Sequence, residues 1–226
     1  VGNRENKMKV EIWSDFACPF CYIGKRRFEN ALAKFPHRDR VQVVYRSFEL
    51  DPQMPEQLPY DVYDMLSKKY GMSREQAIAG NVSLKNQAAA DGLDFQFDGL
   101  VLANTFDAHR LCHFAERHGK GLEISELLYR AYFSENKTLS DHDTLADIAA
   151  EAGLNREEAI AMLAGDQFSD LVRNEEAASQ DLGIRGVPFY AIDRKFSLSG
   201  AQSEEVFSQA LQQAWDDRST LDDAIV

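Results

Sequence analysis

Hydrophobic and polar positions change rhythm several times along the chain. Residues 9–14, Lys-Val-Glu-Ile-Trp-Ser, alternate polar and apolar and favour extended backbone, which predicts a first strand. Between 22 and 35, Tyr22, Phe28, Leu32 and Phe35 recur at roughly helical spacing with charged residues between them, and Pro36 ends the helix. Strand character returns at 40–48, Arg-Val-Gln-Val-Val-Tyr-Arg-Ser-Phe, completing a β-α-β unit. Pro52, Pro55 and Pro59 mark 49–59 as an irregular connection.

From 60 to about 183 the pattern is nearly all helical, with helices predicted over 60–70, 73–91, 103–118, 123–134, 141–152, 156–164 and 168–182. Residues 93–102 are ambiguous and read as a loop. Ser73 with Gln76, and Ser140 with Asp143, offer N-cap pairings, while Gly71, Gly119, Gly153 and Gly183 stand where helices should end. Two further strands follow at 188–193 and 196–199 around an Arg194-Lys195 turn. A last helix, 203–215, carries Val206, Phe207, Ala210, Leu211 and Trp215 on one face. The predicted class is α/β, with order β-α-β, helical block, β-β-α. Residues 8–59 and 184–218 form one discontinuous domain and 60–183 a helical insertion.

With 226 residues, 44% hydrophobic and 27% charged, the chain can bury a sizeable core. Its net charge of −12 comes without a basic stripe, which argues against nucleic-acid binding. No window is apolar enough for a membrane span, and the polar start, Val-Gly-Asn-Arg-Glu-Asn-Lys, lacks a signal-peptide pattern, so a cytoplasmic protein is expected.

Three cysteines are too few for a disulfide scaffold. Cys18 and Cys21 form a C-x-x-C at the predicted strand-to-helix junction. A helix N-terminus presents unpaired N–H groups and the positive end of the macrodipole, which favour a thiolate. Pro19 suits the first turn, and Cys21 lies on the same face as Cys18, within reach of a disulfide. Half of a zinc site is the alternative, and completing it needs His109, Cys112 or His113, which share a helical face. Cys112 reads as a small buried hydrophobe, with a relay or independently reactive thiol as the alternatives.

Gly186-Val-Pro-Phe189 opens the returning strand with a proline that cannot donate to the ladder. Either it merely starts the strand, or the Val187-Pro188 bond is cis and exposes the Val187 peptide groups to an extended substrate. Trp13, Phe16, Phe20 and Tyr22 around the cysteines read either as an apolar rim or as core.

Together, Trp13-Ser-Asp-Phe-Ala-Cys-Pro-Phe-Cys-Tyr22, Asn104-Thr-Phe-Asp-Ala-His-Arg110, Gly183-Ile-Arg-Gly-Val-Pro-Phe189 and Ser199-Gly-Ala-Gln202 resemble the DsbA-like branch of the thioredoxin superfamily, specifically the FrnE-like oxidoreductases. The resemblance implies a thioredoxin-like fold with an all-helical insertion and thiol–disulfide exchange through a mixed disulfide. In it Cys18 is the exposed nucleophile, Cys21 resolves, and Pro188 is a cis-proline facing them. Val187, Pro19, Phe20, Asn104 and His109 are the candidate substrate contacts, although Asn104 or Thr105 also suits a helix cap. Protein or small-molecule disulfides and dithiols are the expected partners. No resident cofactor is implied; glutathione is the candidate co-substrate.

Two residues depart from the pattern. DsbA and thioredoxin carry an acidic residue in the first strand where this chain has Ile12, leaving water or a group such as Asp15 to serve Cys21. DsbA has histidine between its cysteines where this chain has Phe20, which implies a less oxidising centre. Kappa-class glutathione transferases and 2-hydroxychromene-2-carboxylate isomerases, which the chain also resembles in design, place serine at the Cys18 position. The paired thiols favour the oxidoreductase over that glutathione-dependent alternative.

Overall fold

Four strands make one mixed sheet in the order β2-β1-β3-β4: β1 (Met8–Ser14), β2 (Val41–Ser47), β3 (Phe189–Ile192) and β4 (Phe196–Ser199). The computed structural model describes residues 7–55 and 58–223, with side chains through residue 218. β1 runs parallel to β2, as a β-α-β crossover through α1 (Pro19–Lys34) requires, and antiparallel to β3, which forms a hairpin with β4. Between β2 and β3 lie α2 (Val62–Tyr70), α3 (Arg74–Ala90), α4 (Phe106–Arg117), α5 (Gly121–Phe133), α6 (His142–Glu151), α7 (Arg156–Ala164) and α8 (Ser169–Asp181). A final helix, α9 (Glu204–Asp223), follows the hairpin. This is a thioredoxin-like fold carrying a large helical insertion. Among the described residues no helix is long and apolar enough to cross a membrane.

One face of the sheet packs on α1 and α9. Met8, Val10 and Ile12 of β1 meet Tyr190 and Ile192 of β3, Phe28 and Ala31 of α1, and Phe207 and Leu211 of α9. The approach is close: a Cβ on Gly24 would stand 2.5 Å from Tyr190 Oη and 3.2 Å from the Pro188 ring. The alternation in β1 predicts a solvated second face, yet Glu11 and Trp13 are both buried. The cause is α8, which returns across that face, where Trp13 Nε1 approaches the Glu175 carbonyl at 3.4 Å. Glu11 is buried with its charge matched by Arg46 and Arg194, at 2.7 and 2.8 Å. Burial works against its ionisation, but those guanidiniums win and bring its pKa down to about 2.

The insertion is clamped to the sheet through polar contacts as well. Glu175 of α8 accepts from Arg46 at 2.6 Å and from the Ser47 N–H at 2.8 Å, and its carboxylate lies 3.1 Å from His113 of α4. Burial alone would lower the His113 pKa, but Glu116 and Glu175 raise it to about 9. Arg110 of α4 reaches four carbonyls at and beyond the α7 C-terminus, among them Met162 at 2.9 Å and Gly165 at 2.6 Å. A helix end that would otherwise hold unpaired acceptors is thus satisfied.

Side-chain caps mark the starts of α2, α3, α6 and α7. Ser73 and Gln76 form a reciprocal capping box. Before α6 the cap is Asp141, accepting from Thr144 N–H, rather than the expected Ser140–Asp143 pairing; the carboxylate stands one residue nearer the first turn. The hairpin turn sits on Asp193 and Arg194, both at positive φ, one residue earlier than the sequence suggests. Asp193 there accepts from Lys9 N–H at 2.8 Å, which offsets the local strain. Residues 93–102 form no helix or strand.

Two consequences follow. Gly24→Ala raises intrinsic helix propensity yet is expected to destabilise by about 1–3 kcal/mol, because α1 cannot approach β3 over a methyl group; chemical denaturation measures it, and a stabilised variant would contradict the packing. His113 has a raised folded-state pKa, so its contribution is complete below its ordinary value of 6.5 and is lost as pH rises through about 9. Unfolding free energy should therefore fall across that interval by on the order of 3 kcal/mol more in the parent than in His113→Gln. Parallel pH profiles would refute it.

Candidate active site

The site is assembled where β1 ends. Asp15 turns the chain, its carbonyl accepting the Cys18 N–H at 3.1 Å, and Cys18 becomes the N-cap of α1 with Pro19 as the first helical residue. Proline has no N–H to leave unpaired there and its φ is already helical. The Cys21 N–H closes the turn on the Cys18 carbonyl at 3.0 Å, bringing both thiols, each free, into the first turn.

Across from them stands the β3 entrance. The Val187-Pro188 bond is cis, and the Cys18 Sγ lies 3.6 Å from the Val187 carbonyl oxygen. Burial above all, then the hydrogen bond and charge of Cys18, push the Cys21 thiol well up. Cys21 accordingly stays protonated while Cys18 faces the cavity. The resemblance implies an exposed nucleophile; Cys18 is instead only 4% exposed, because the insertion overhangs it.

Beneath that overhang lies a half-open cavity of about 630 Å³, walled by Cys18, Pro19, Phe20 and Val187 on the thioredoxin-like side. The opposite wall comes from α2, α3 and residues 97–105, including Met65, Met72 and Leu102. Phe20, 46% exposed, stands at the rim. Trp13, Phe16 and Tyr22 are core residues and form no rim.

Asn104 and His109 do not line the cavity. Asn104 Oδ1 accepts from the Phe106 N–H at 2.9 Å, which makes it a local cap, and its Nδ2 reaches the Met54 carbonyl at 3.3 Å. His109 is buried against Phe16, ring centroids 4.9 Å apart, with Nε2 at 3.4 Å from Asp15 Oδ1, too poorly placed for a hydrogen bond. Thr105 does line the cavity, and its hydroxyl donates to Asp15 Oδ1 at 2.7 Å. Asp15 Oδ2 accepts from the Leu50 N–H, also at 2.7 Å. Burial opposes the Asp15 charge, but His109, Leu50 N–H and Thr105 outweigh it and hold the carboxyl below its usual range. A carboxylate so engaged is a poor proton acceptor for Cys21.

Cys112 and His113 point elsewhere. Cys112 packs beside Gly121, its Sγ 3.9 Å from that carbonyl, with burial chiefly pushing its thiol up to about 12. Among the described residues no three His, Cys, Asp or Glu side chains gather as a metal site. The links of Thr105 and Leu50 to Asp15 had no signal in sequence, since each partner lies tens of residues away on an unrelated element.

Comparison with known proteins agrees with this architecture. A model of the DsbA-like thioredoxin domain matches residues 9–212. The crystal structure of a probable DsbA oxidoreductase from Streptomyces coelicolor is 49% identical, with a TM-score of 0.88 over 92% of this chain and 90% of the other. YwbO of Bacillus subtilis, itself uncharacterised, is 27% identical over 208 residues, covering 89% of this chain and 94% of YwbO. A 2-hydroxychromene-2-carboxylate isomerase shares the fold, with a TM-score of 0.73 over 95% of this chain and 99% of the other, at 14% identity. The chain belongs to the DsbA-like thioredoxin domain family.

Proposed function

We propose that the chain is a thiol–disulfide oxidoreductase of the FrnE-like kind, working through Cys18-Pro19-Phe20-Cys21. The observation that carries this reading is the Cys18 thiol at the N-terminus of α1, set on a cavity wall and 3.6 Å from the Val187 carbonyl. The Cys18 thiolate attacks one sulfur of a substrate disulfide. The S–S bond breaks, a mixed disulfide forms, and the other sulfur leaves as a thiolate. Cys21 then gives up its proton, attacks Cys18 Sγ and releases the second substrate thiol. Two electrons pass from the cysteine pair to the substrate; the reverse sequence oxidises a dithiol.

The high pKa of Cys21 suits a resolving role, since it stays a thiol until the mixed disulfide brings a leaving group to it. With Asp15 engaged by three neighbouring segments, the Cys21 proton goes to the departing thiolate or to water in the cavity. Val187, joined to Pro188 by the cis bond, lines the cavity beside Cys18, its peptide being available to align a substrate across the sulfurs. The glutathione-dependent transferase or isomerase reading needs only one polar atom at position 18 and leaves the Cys21 thiol without a task.

Reduction of a protein disulfide such as insulin by the chain with an external thiol is expected to fall on the order of 100-fold or more in Cys18→Ser. Cys21→Ser is expected to accumulate a mixed disulfide on Cys18, visible by intact-mass spectrometry. Retained activity in Cys18→Ser would overturn the reading. Because Phe20 brings no positive charge between the cysteines, the potential of the couple is expected to lie below DsbA's value of about −120 mV; a redox titration reaching that value would contradict it.

A further inference from the structure

We propose that the cavity above Cys18 is a specific site for a small, largely apolar disulfide or thiol compound carrying one hydrogen-bonding group, which Asn81 receives. The proposal rests on the oxidoreductase reading and names its substrate class.

Access is the first argument. Cys18 is 4% exposed and borders the cavity, so a substrate sulfur reaches it through that space. At about 630 Å³ the cavity falls within the range of sites that enclose small ligands. The space is half open, with Phe20, Tyr70 and Gln76 at its mouth, so a compound of small-ligand size reaches the sulfur between the Cys18 wall and α3 without moving either.

Chemistry is the second. Met54, Met65, Met72, Leu84, Leu102 and Phe133 supply a mainly apolar wall, and the methionines give it an adaptable shape. Asn81 of α3 lines this wall, is 7% exposed, and among the described residues its Nδ2 meets no hydrogen-bond partner. Leaving a buried amide unpaired is costly, and a ligand with a ring nitrogen, carbonyl or hydroxyl relieves it. Leucine at that position would avoid the cost in an empty or purely apolar cavity.

Charge is the third. Among the described lining residues Lys69, exposed on α2, is the one cation, against the carboxylates Asp15 and Asp51. A glutathione molecule, with two carboxylates and an ammonium group, finds one cation for two anions and an apolar wall for the rest. An uncharged aromatic disulfide leaves no charge unmatched.

In the reaction, the Cys18 thiolate attacks the bound compound's S–S bond, one half leaves as a thiolate, and Cys21 displaces the other while closing Cys18–Cys21. An external thiol reductant then restores both cysteines. Two electrons enter and two leave per cycle.

Two probes separate binding from redox chemistry: 4,4′-dithiodipyridine, and its unreactive carbon analogue 1,2-di(4-pyridyl)ethane. By calorimetry the analogue is expected to bind the reduced chain saturably, with affinity lowered about five- to tenfold in Asn81→Leu, the loss of one hydrogen bond. Gly80→Phe offers a second variant with low risk to folding, since an added Cβ there meets nothing within 4 Å, and it should also weaken binding by crowding the wall. In single-turnover oxidation, with each rate normalised to that of N-acetylcysteine, dithiodipyridine should exceed oxidised glutathione by about tenfold or more. Asn81→Leu should slow only the former. An analogue that does not bind, with glutathione reacting as fast, overturns the assignment even if insulin is reduced. Binding with no Cys18-dependent exchange on any disulfide would instead sink the oxidoreductase reading while keeping the cavity as a ligand site.

Discussion

The Asp15 carboxylate is the point on which both halves of the molecule meet. It sits at the end of β1, buried, and is approached by a hydroxyl from the segment before α4, a backbone N–H from the β2–α2 connection and an imidazole from α4. An ionised group in such a place is tolerable only when its partners are all present. The loop that presents Cys18 is therefore ordered by contacts from the insertion as well as by the sheet. Its backbone is drawn in too, since the Asp15 carbonyl accepts from Cys18 N–H and from the Tyr129 hydroxyl, the latter at 3.3 Å. Insertion and redox loop are one structural unit in energetic terms, although the chain separates them.

This joint reshapes the familiar site. At the first-strand position that the resemblance assigns to an acidic residue stands Ile12, which serves the core with Phe28 and Tyr190. The nearest carboxylate in sequence, Asp15, has been committed to holding the insertion. What the insertion returns is a second wall: α2 and α3 stand across a half-open cavity from Cys18. The cavity wall and the assembly of the two halves thus draw on the same contacts.

Local rules made most of the fold legible from the amino-acid sequence. The β-α-β start, the β-β-α finish and seven helices between them follow from periodicity, because side-chain spacing of 2 or 3.6 is a local property. The capping box at Ser73 was readable for the same reason. Long-range pairing was not. Trp13 read either as rim or as core and Glu11 as a polar member of an alternating strand, and only α8, some 160 residues later, shows why both are buried. At the site, Cys18, Cys21, Pro188 and Phe20 stood in short motifs and were visible. Asn104 and His109 belong to a further, less specific motif, and their neighbours are a helix start and a buried aspartate. Asn81 carried no signal at all: an asparagine within an exposed-looking helix is unremarkable until its amide is found without a partner.

The strand order has a further consequence for the order of events at the ribosome. β1 is parallel to β2, which emerges soon after it, but its other neighbour, β3, is made only after the entire helical block. Until then the β1 edge from Val10 to Trp13 has no antiparallel partner, and an unpaired apolar edge is a template for association with other chains. The helices of the insertion, whose contacts are mostly local, can consolidate first and lay α8 over one face of the nascent strands. A nascent chain stalled before Phe189 would lack the hairpin that completes the sheet. In this architecture, the vulnerable interval of biogenesis is set by the length of the insertion.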